Sequence, residues 1–188
     1  NSRAGIEADR AIQLFAPSVI LFVGVAGGIK DVRLGDVVVA TKVYGYEAGK
    51  ETASGFLPRP SVGETAYALE QRARAEARND EWMQRLKLRP SIEPEVLVAP
   101  IAAGEKVIAS MRSPVARFLR EAYSDAVAVE MEGRGFLDAA RANQSVSAII
   151  VRGISDLLSG KAKADADGTQ QLAARHASAF AFQLLAKL

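Results

Sequence analysis

Short apolar runs alternate along this chain with longer segments in which apolar residues recur at helical spacing. Buried strands are predicted for the β-branched runs, which are Ser18–Val23, Val37–Tyr46, Glu95–Ile101, Ala126–Val129 and Ala148–Val151. Helices are predicted for the periodic segments, which are Ser2–Phe15, Glu64–Leu86, Met111–Tyr123, Glu130–Asn143 and Gly168–Leu188. Strands that alternate with helices in this way predict an α/β fold.

Two segments lack either pattern and are predicted to be loops. Glu47–Gly63 is polar and contains Gly55, Pro58 and Pro60, which is typical of an exposed connection. Leu157–Asp167 is made of small and polar residues, a composition that suits a mobile loop beside a binding site.

The centre of the chain, Ala126–Asp156, is predicted to be a β-α-β unit with acidic residues at its strand ends. Glu130 and Glu132 follow the first strand, and Asp156 follows the second. Ligands of open α/β sheets bind at the carboxyl ends of the strands, so neighbouring parallel strands would bring Glu132 and Asp156 to one crevice. One carboxylate could bind a pair of hydroxyls while the other, if shielded, donates a proton. The same positions also suit plainer roles, as a helix-terminal charge for Glu132 and a cap or turn residue for Asp156.

A glycine-rich stretch, Gly24–Gly28, follows the first predicted strand. A dinucleotide-binding fold would require a helix to begin there, but the chain continues into the turn-like Asp31–Gly35 and another strand. Two interpretations stay open from these residues alone. The glycines either form a tight turn or let the backbone approach a ligand closely.

Composition narrows the class of protein. The 188 residues, 49% of them hydrophobic and 24% charged, suit one globular domain. The absence of cysteine excludes disulfides and cysteine-based zinc sites, and the single histidine, His176, is expected to pack at a helix surface or boundary. The net charge of +2 is spread along the chain and does not indicate nucleic-acid binding. With no apparent membrane span or signal peptide, we expect a cytoplasmic protein. The lack of cysteine and the single histidine make a metal site unexpected, and we expect no cofactor.

Three blocks then line up in order along the chain: GVAGGIKDVRLGDVVVA at Gly24–Ala40, VAVEMEGRGF at Val127–Phe136 and VRGISD at Val151–Asp156. Together they resemble the nucleoside phosphorylase/nucleosidase superfamily, and most closely its 5′-methylthioadenosine/S-adenosylhomocysteine nucleosidase-like domains. The resemblance implies a three-layer α/β/α sandwich around a mixed, largely parallel sheet. It also implies a homo-oligomer that cleaves the N-glycosidic bond of a purine nucleoside, with adenine as the expected base.

The resemblance also assigns residues. Asp156 would hydrogen-bond or protonate N7 of the purine, and Glu132 would hold the ribose 2′- and 3′-hydroxyls. The remaining expected ligand contacts are Met131 against the sugar with Glu130 nearby, Val107 and Ile108 at the base, and the backbone of Ala26 and Gly27. Protonation of the leaving base and an oxocarbenium-like sugar suit such a pair of carboxyl groups.

The chain departs from the family pattern at three places. Phosphorylases of the superfamily place a cation and a hydroxyl where Phe22 and Val25 stand here, so water is favoured over phosphate as the nucleophile. The nucleosidases activate that water with a glutamate near their N-terminus, which has no match in residues 1–188. We therefore expect a single domain that lacks its N-terminal strand or strands. The segment that closes over the 5′-substituent corresponds to Ala162–Asp167, which is small and polar, so the 5′-group is undetermined.

Three functions stay open at this point. Hydrolysis of a purine nucleoside to free base and a ribose derivative is the first. A phosphate-dependent purine nucleoside phosphorylase on the same fold is the second, and a non-catalytic nucleoside-sensing module of a larger protein is the third. The presence of both Glu132 and Asp156 favours an enzyme, because a module that only binds needs no proton donor at N7.

Overall fold

The computed structural model describes residues 1–87, 90, 92–158 and 168–188. The helices are α1 (Ser2–Phe15), α2 (Tyr67–Glu76), α3 (Pro114–Ala122), α4 (Gly133–Ala142) and α5 (Thr169–Ala186), with a 3-10 helix at Glu81–Arg85. The strands are β1 (Val19–Gly28), β2 (Val37–Gly45), β3 (Gly49–Thr52), β4 (Gly55–Pro58), β5 (Ser61–Glu64), β6 (Val96–Ala103), β7 (Ala128–Glu130) and β8 (Ser147–Leu157).

Six of these strands form one mixed sheet in the order β5-β2-β6-β7-β1-β8, and β2 also pairs with β8. The long ladder between β1 and β8 is parallel, as are the β2–β6 and β6–β7 ladders. The β1–β7, β2–β5 and β2–β8 ladders are antiparallel. Because β8 pairs with both β1 and β2, the strands β2, β6, β7, β1 and β8 form a closed ring of neighbours, and β5 extends from it beside β2.

Helices cover both faces of the sheet, which gives the predicted α/β sandwich. Apolar residues of α1 and α4, including Ala8, Phe136 and Leu137, pack on one face. On the other face, α2, the 3-10 helix and α5 enclose a second core around Trp82 and Phe180. Trp82 and Met83 of the 3-10 helix are both buried in this second core.

The predicted β-α-β unit is wrong in its pairing. β7 and β8 are not neighbours, because β1 lies between them, antiparallel to β7 and parallel to β8. The last two residues of β1 pair with the first two residues of β7, Gly27 with Val129 and Gly28 with Ala128. β7 and β8 consequently still meet at the carboxyl end of β1, although the two predicted strands run in opposite directions.

Three other segments can now be assigned. Of the two interpretations left open for Gly24–Gly28, the tight turn does not apply, because these residues are the second half of β1. Glu47–Gly63 is not a loop, because it contains the β3–β4 hairpin and begins β5, which pairs with β2. The long helix predicted over Glu64–Leu86 is shorter, since α2 ends at Glu76 and a 3-10 helix follows.

The closing helix α5 leaves part of its apolar surface exposed, at Leu172, Phe182 and Leu185. His176 is buried rather than at the surface, with Nδ1 2.6 Å from the carbonyl oxygen of Gly35 and its ring edge-on to Trp82. Among the helices that the structure describes, none has the length and apolar character needed to cross a membrane.

Candidate active site

A pocket of about 460 Å³ opens where β1, β7 and β8 converge. It is lined by all eight residues predicted to contact a ligand, which are Ala26, Gly27, Val107, Ile108, Glu130, Met131, Glu132 and Asp156. The segment expected at the 5′-substituent, Ala162–Asp167, lies outside the described residues, as does most of the predicted loop before α5. The pocket is therefore built from residues of β1 and β8, from residues at the end of the oppositely directed β7, and from the segment after β6.

Asp156 lies near the carboxyl end of β8 and is only 6% exposed. Its Oδ1 accepts a hydrogen bond from the hydroxyl of Ser155 at 2.8 Å. The carbonyl oxygen of Ser155 in turn accepts from the hydroxyl of Thr169 at 2.8 Å, which ties the first turn of α5 to this strand. The carboxyl group is thus held in a fixed orientation in a shielded part of the pocket.

Glu132 stands at the N-cap position of α4 but makes no capping hydrogen bond with its side chain. That side chain is 56% exposed, and Oε2 lies 3.7 Å from Nη2 of Arg152. Glu132 therefore does lie at a helix N-terminus, as the helix-terminal-charge interpretation expects, but its side chain is not used up in capping. Its carboxylate is accessible from the pocket and can accept hydrogen bonds from a ligand.

Glu130 differs from Glu132 in being buried and fully engaged inside the protein. Its carboxylate accepts from the backbone N–H groups of Glu132 at 3.0 Å and Gly133 at 2.9 Å, at the start of α4. It also accepts from Nη2 of Arg152 at 2.6 Å. Glu130 is thus the residue that satisfies the N-terminus of α4, where a carboxylate is favoured by the helix dipole.

Arg152 is a buried pocket residue that sequence reasoning missed. It lies in the middle of β8, with only 2% of its side chain exposed, and its guanidinium carbon sits 4.2 Å from the ring centroid of Phe22. The ring of Phe22 also stacks on Phe136 at 4.9 Å. A single arginine inside the apolar run Ala148–Ile154 was the available signal, because a buried charge needs a partner.

The glycines of β1 make room for these two side chains. A Cβ atom on Gly24 would collide with Nη1 of Arg152, and one on Gly27 would lie 3.2 Å from Oδ2 of Asp156. Gly24 pairs with Arg152 and Gly27 with Asp156 in the β1–β8 register. Their role in the described structure is close packing within the site, rather than the tight turn that the sequence also allowed.

The position of Arg152 changes the prediction that no cation lies near Phe22 and Val25. The sequence offered no cation beside Phe22 and Val25, but the guanidinium lies against Phe22, across from Gly24. This cation is balanced by two carboxylates, Glu130 and Glu132. The region is therefore not a free anion site.

The remaining wall is formed by the segment after β6 and by the start of α5. Ile108 is buried, whereas Val107 is 59% exposed at the pocket. Lys106 and Gln170 also line the pocket, and neither was predicted from the sequence. Nζ of Lys106 lies 3.4 Å from Oε1 of Glu47, so this rim carries a paired charge.

Within the described ranges, no group of three or more acidic, histidine or cysteine side chains could hold a metal ion. The polar side chains of the pocket are instead those of three acidic residues and of Arg152, Lys106, Ser155 and Gln170. Such a set can bind hydroxyls, donate a proton and hold a water molecule.

Comparison with known proteins identifies the class. The family model described as the phosphorylase superfamily matches residues 1–188. The chain therefore belongs to the phosphorylase superfamily, as its three sequence blocks indicated.

Solved structures share the fold over 98% of this chain. Futalosine hydrolase of Helicobacter pylori matches with a TM-score of 0.75 and 23% identity, and the match covers 75% of its chain. The 5′-methylthioadenosine/S-adenosylhomocysteine nucleosidase of Neisseria meningitidis, in complex with methylthio-immucillin-A, matches with a TM-score of 0.77, 23% identity and 76% coverage of its chain. The corresponding Helicobacter pylori nucleosidase is 26% identical, with a TM-score of 0.75 and 75% coverage.

One sequence relative is the uncharacterized protein y4jS of Sinorhizobium fredii. It is 36% identical over 115 residues, a match that takes in 55% of this chain and 28% of that protein. The chain thus matches little more than a quarter of the length of this relative.

Proposed function

We propose that this domain hydrolyses the N-glycosidic bond of a purine nucleoside, with adenine as the expected base, to give the free base and a ribose derivative. The observation that carries the proposal is that Asp156 and Glu132 line one pocket while differing sharply in exposure. A shielded acid can donate a proton to the leaving base, and an accessible carboxylate can bind the sugar, which are the two functions that this cleavage needs.

Asp156 is proposed as the general acid. Cleavage leaves the bonding electron pair on the purine, which is a poor leaving group as an anion. A proton delivered to N7 neutralises it as the bond breaks. The hydrogen bond from Ser155 fixes Oδ1, so that the carboxyl group keeps one orientation toward the base. General-acid assistance of this kind contributes about 10²–10⁴-fold in rate.

Glu132 is proposed to bind the ribose 2′- and 3′-hydroxyls. Two carboxylate oxygens can accept two hydroxyl donors at once, which fixes the sugar relative to the acid. Met131, which follows β7 and lines the pocket, supplies an apolar contact for the sugar. Val107 and Ile108 supply apolar surface for the base, beside the backbone of Ala26 and Gly27.

Water rather than phosphate is proposed as the nucleophile. Arg152 is paired with Glu130 at 2.6 Å and lies 3.7 Å from Glu132, so carboxylates outnumber cations in this part of the pocket. A phosphate dianion would meet this negative charge, whereas a neutral water would not. Nε of Arg152 is buried, with no partner among the described residues, and could donate to such a water.

The extent of the domain is also a proposal. Val19–Ala26 of β1 pair with β8 on one side, but no described strand pairs with them on the other. This open edge borders the pocket, which Phe22–Gly27 line. It supports the expectation that a further strand completes the sheet, and that the general base for the water comes with it. Homo-oligomerisation stays a prediction from the resemblance alone.

The test uses the complete natural protein. Methylthioadenosine, adenosylhomocysteine, adenosine, inosine and AMP are each incubated with and without phosphate, and the free base is measured by chromatography. Release of adenine without phosphate is the expected result, and the ranking of substrates identifies the 5′-group. Release only with phosphate would establish a phosphorylase. Tight nucleoside binding without release would establish the sensing module instead.

A further inference from the structure

The ion pair between Glu130 and Arg152 is buried within the wall of the pocket. Their side chains are 3% and 2% exposed, and 2.6 Å separates Oε2 from Nη2. Such a pair is weak evidence for stability, because the cost of removing two charges from water offsets their attraction. Its position beside the ligand pocket therefore calls for a functional explanation.

Arg152 without its partner would be an anion-binding residue. Its guanidinium lies on Phe22 and faces the backbone of Gly24, and its buried Nε has no partner within the described ranges. An arginine in this setting presents a planar fork of donors that suits phosphate.

Glu130 removes this possibility. All of its described hydrogen bonds are internal, to the N–H groups of Glu132 and Gly133 and to Arg152. It therefore has little capacity left to hold a substrate hydroxyl, and its negative charge balances the guanidinium. Because the carboxylate of Glu132 lies near the same guanidinium, an incoming dianion would face net repulsion.

We propose that Glu130 is a specificity-determining residue that excludes phosphate from the pocket by neutralising Arg152. The inference rests on the proposed function, for which it supplies the reason that water reacts. A neutral water can accept a hydrogen bond from Arg152 without displacing the ion pair. Phosphate would have to compete with a carboxylate already held by three donors, Arg152 at 2.6 Å and the N–H groups of Glu132 at 3.0 Å and Gly133 at 2.9 Å.

The experiment compares the complete natural protein with its Glu130→Gln variant. Glutamine keeps an oxygen that can accept from the start of α4 but loses the charge. Phosphate binding is measured by calorimetry and by the shift in melting temperature, with sodium chloride at matched ionic strength as the control for screening. The variant is expected to bind phosphate at least roughly tenfold more tightly than the parent, as removal of a nearby like charge implies.

Two further variants locate the effect. Glu130→Gln combined with Arg152→Met should lose the acquired phosphate binding, because the cation is gone. Glu130→Asp, which keeps the charge, should exclude phosphate as the parent does. If Glu130→Gln does not fold, Glu132→Gln provides the test, since its half-exposed side chain tolerates the change. It should bind phosphate more tightly than the parent, by less than tenfold.

The outcomes separate this inference from the proposed function. A parent that hydrolyses nucleosides without phosphate, with variants that bind no phosphate, would overturn the inference alone. Acquired phosphate binding that persists without Arg152 would also overturn it. Acquired binding that depends on Arg152 supports the inference, even if none of the nucleosides is cleaved.

Discussion

Gly27 and Asp156 are register partners on β1 and β8, and a methyl group on Gly27 would lie 3.2 Å from Oδ2 of Asp156. That separation is tight enough to displace the carboxyl group by a few tenths of an ångström. We predict that Gly27→Ala lowers kcat by roughly tenfold, because small displacements of a catalytic group are costly. Steady-state kinetics and a melting curve of the variant check this, and an unchanged kcat would contradict it.

Asp156→Asn is predicted to lower kcat by about 10²–10⁴-fold while the protein stays folded, because the amide cannot supply the proton. The matched control is Asp36, which is equally buried but lies outside the pocket, where it accepts from the N–H groups of Arg33 and Glu95. Asp36→Asn should lower the melting temperature and leave kcat per folded molecule unchanged. Full activity of Asp156→Asn would remove this residue from the mechanism.

Glu132→Gln is predicted to raise KM for a nucleoside by roughly 10- to 100-fold, the range expected for a lost hydrogen bond to a charged group. The check is a cycle with 2′-deoxynucleosides. If Glu132 binds the ribose hydroxyls, the loss of the 2′-hydroxyl should cost the parent more than it costs the variant. Equal costs in both would sink the assignment.

Arg152→Met is predicted to destabilise the fold by about 3–5 kcal/mol, because it leaves the carboxylate of Glu130 buried without its cation. Adding Glu130→Gln to this variant should recover part of the loss, since no buried charge then remains. Urea denaturation of both variants and the parent measures the effect. Single and double variants of equal stability would contradict the explanation by an unpaired buried carboxylate.

Asp125 gives the fold a pH dependence away from the pocket. Burial raises the pKa of its carboxyl group, but hydrogen bonds from Tyr44 at 2.8 Å and from Lys42 outweigh burial and lower the pKa overall. A lowered folded-state pKa stabilises the protein above the unfolded value of 3.8, and this contribution is lost as the pH falls through the folded value.

We therefore predict that Asp125→Asn lowers the free energy of unfolding by up to about 1 kcal/mol at neutral pH, since the side chain is half exposed. The difference from the parent should disappear under strongly acidic conditions. Thermal unfolding over a pH series measures it, with Glu121→Gln as a control at a nearby exposed carboxylate. A difference that persists in acid would exclude the ionic explanation.

The strands were predictable where burial leaves an apolar run, but their pairing was not. Ala126–Val129 and Ala148–Val151 both fall on strands, yet β1 inserts between them from more than a hundred residues upstream. No local pattern encodes that insertion. The β3–β4 hairpin was missed for a different reason, since it is exposed and rich in glycine and proline, and therefore lacks the alternation that marks a half-buried strand.

The candidate site was predictable as far as its residues follow strand ends. Glu132 and Asp156 were found from that rule, although the parallel pairing used to connect them was wrong. Arg152 could not be assigned in the same way, because its partner Glu130 lies 22 residues away and the contact depends on the fold. In the sequence, Arg152 was visible only as a lone charge in an apolar run, and Glu130 only as an acid before a helix.

The β1–β7 ladder, with two residue pairs, is the shortest ladder of the six-stranded sheet among the described residues. It separates the carboxylate expected at the sugar from the acid expected at the base. A bound nucleoside would therefore bridge the β1–β7 ladder, with its sugar held on the β7 side and its base on the β8 side. Opening of the β1–β7 ladder would disrupt the candidate site while most of the sheet persists, and a bound nucleoside would oppose it. The backbone amides of Gly27–Ile29 and Val129 would then exchange their hydrogens more slowly when a nucleoside is bound, so their exchange rates would measure occupancy of the site.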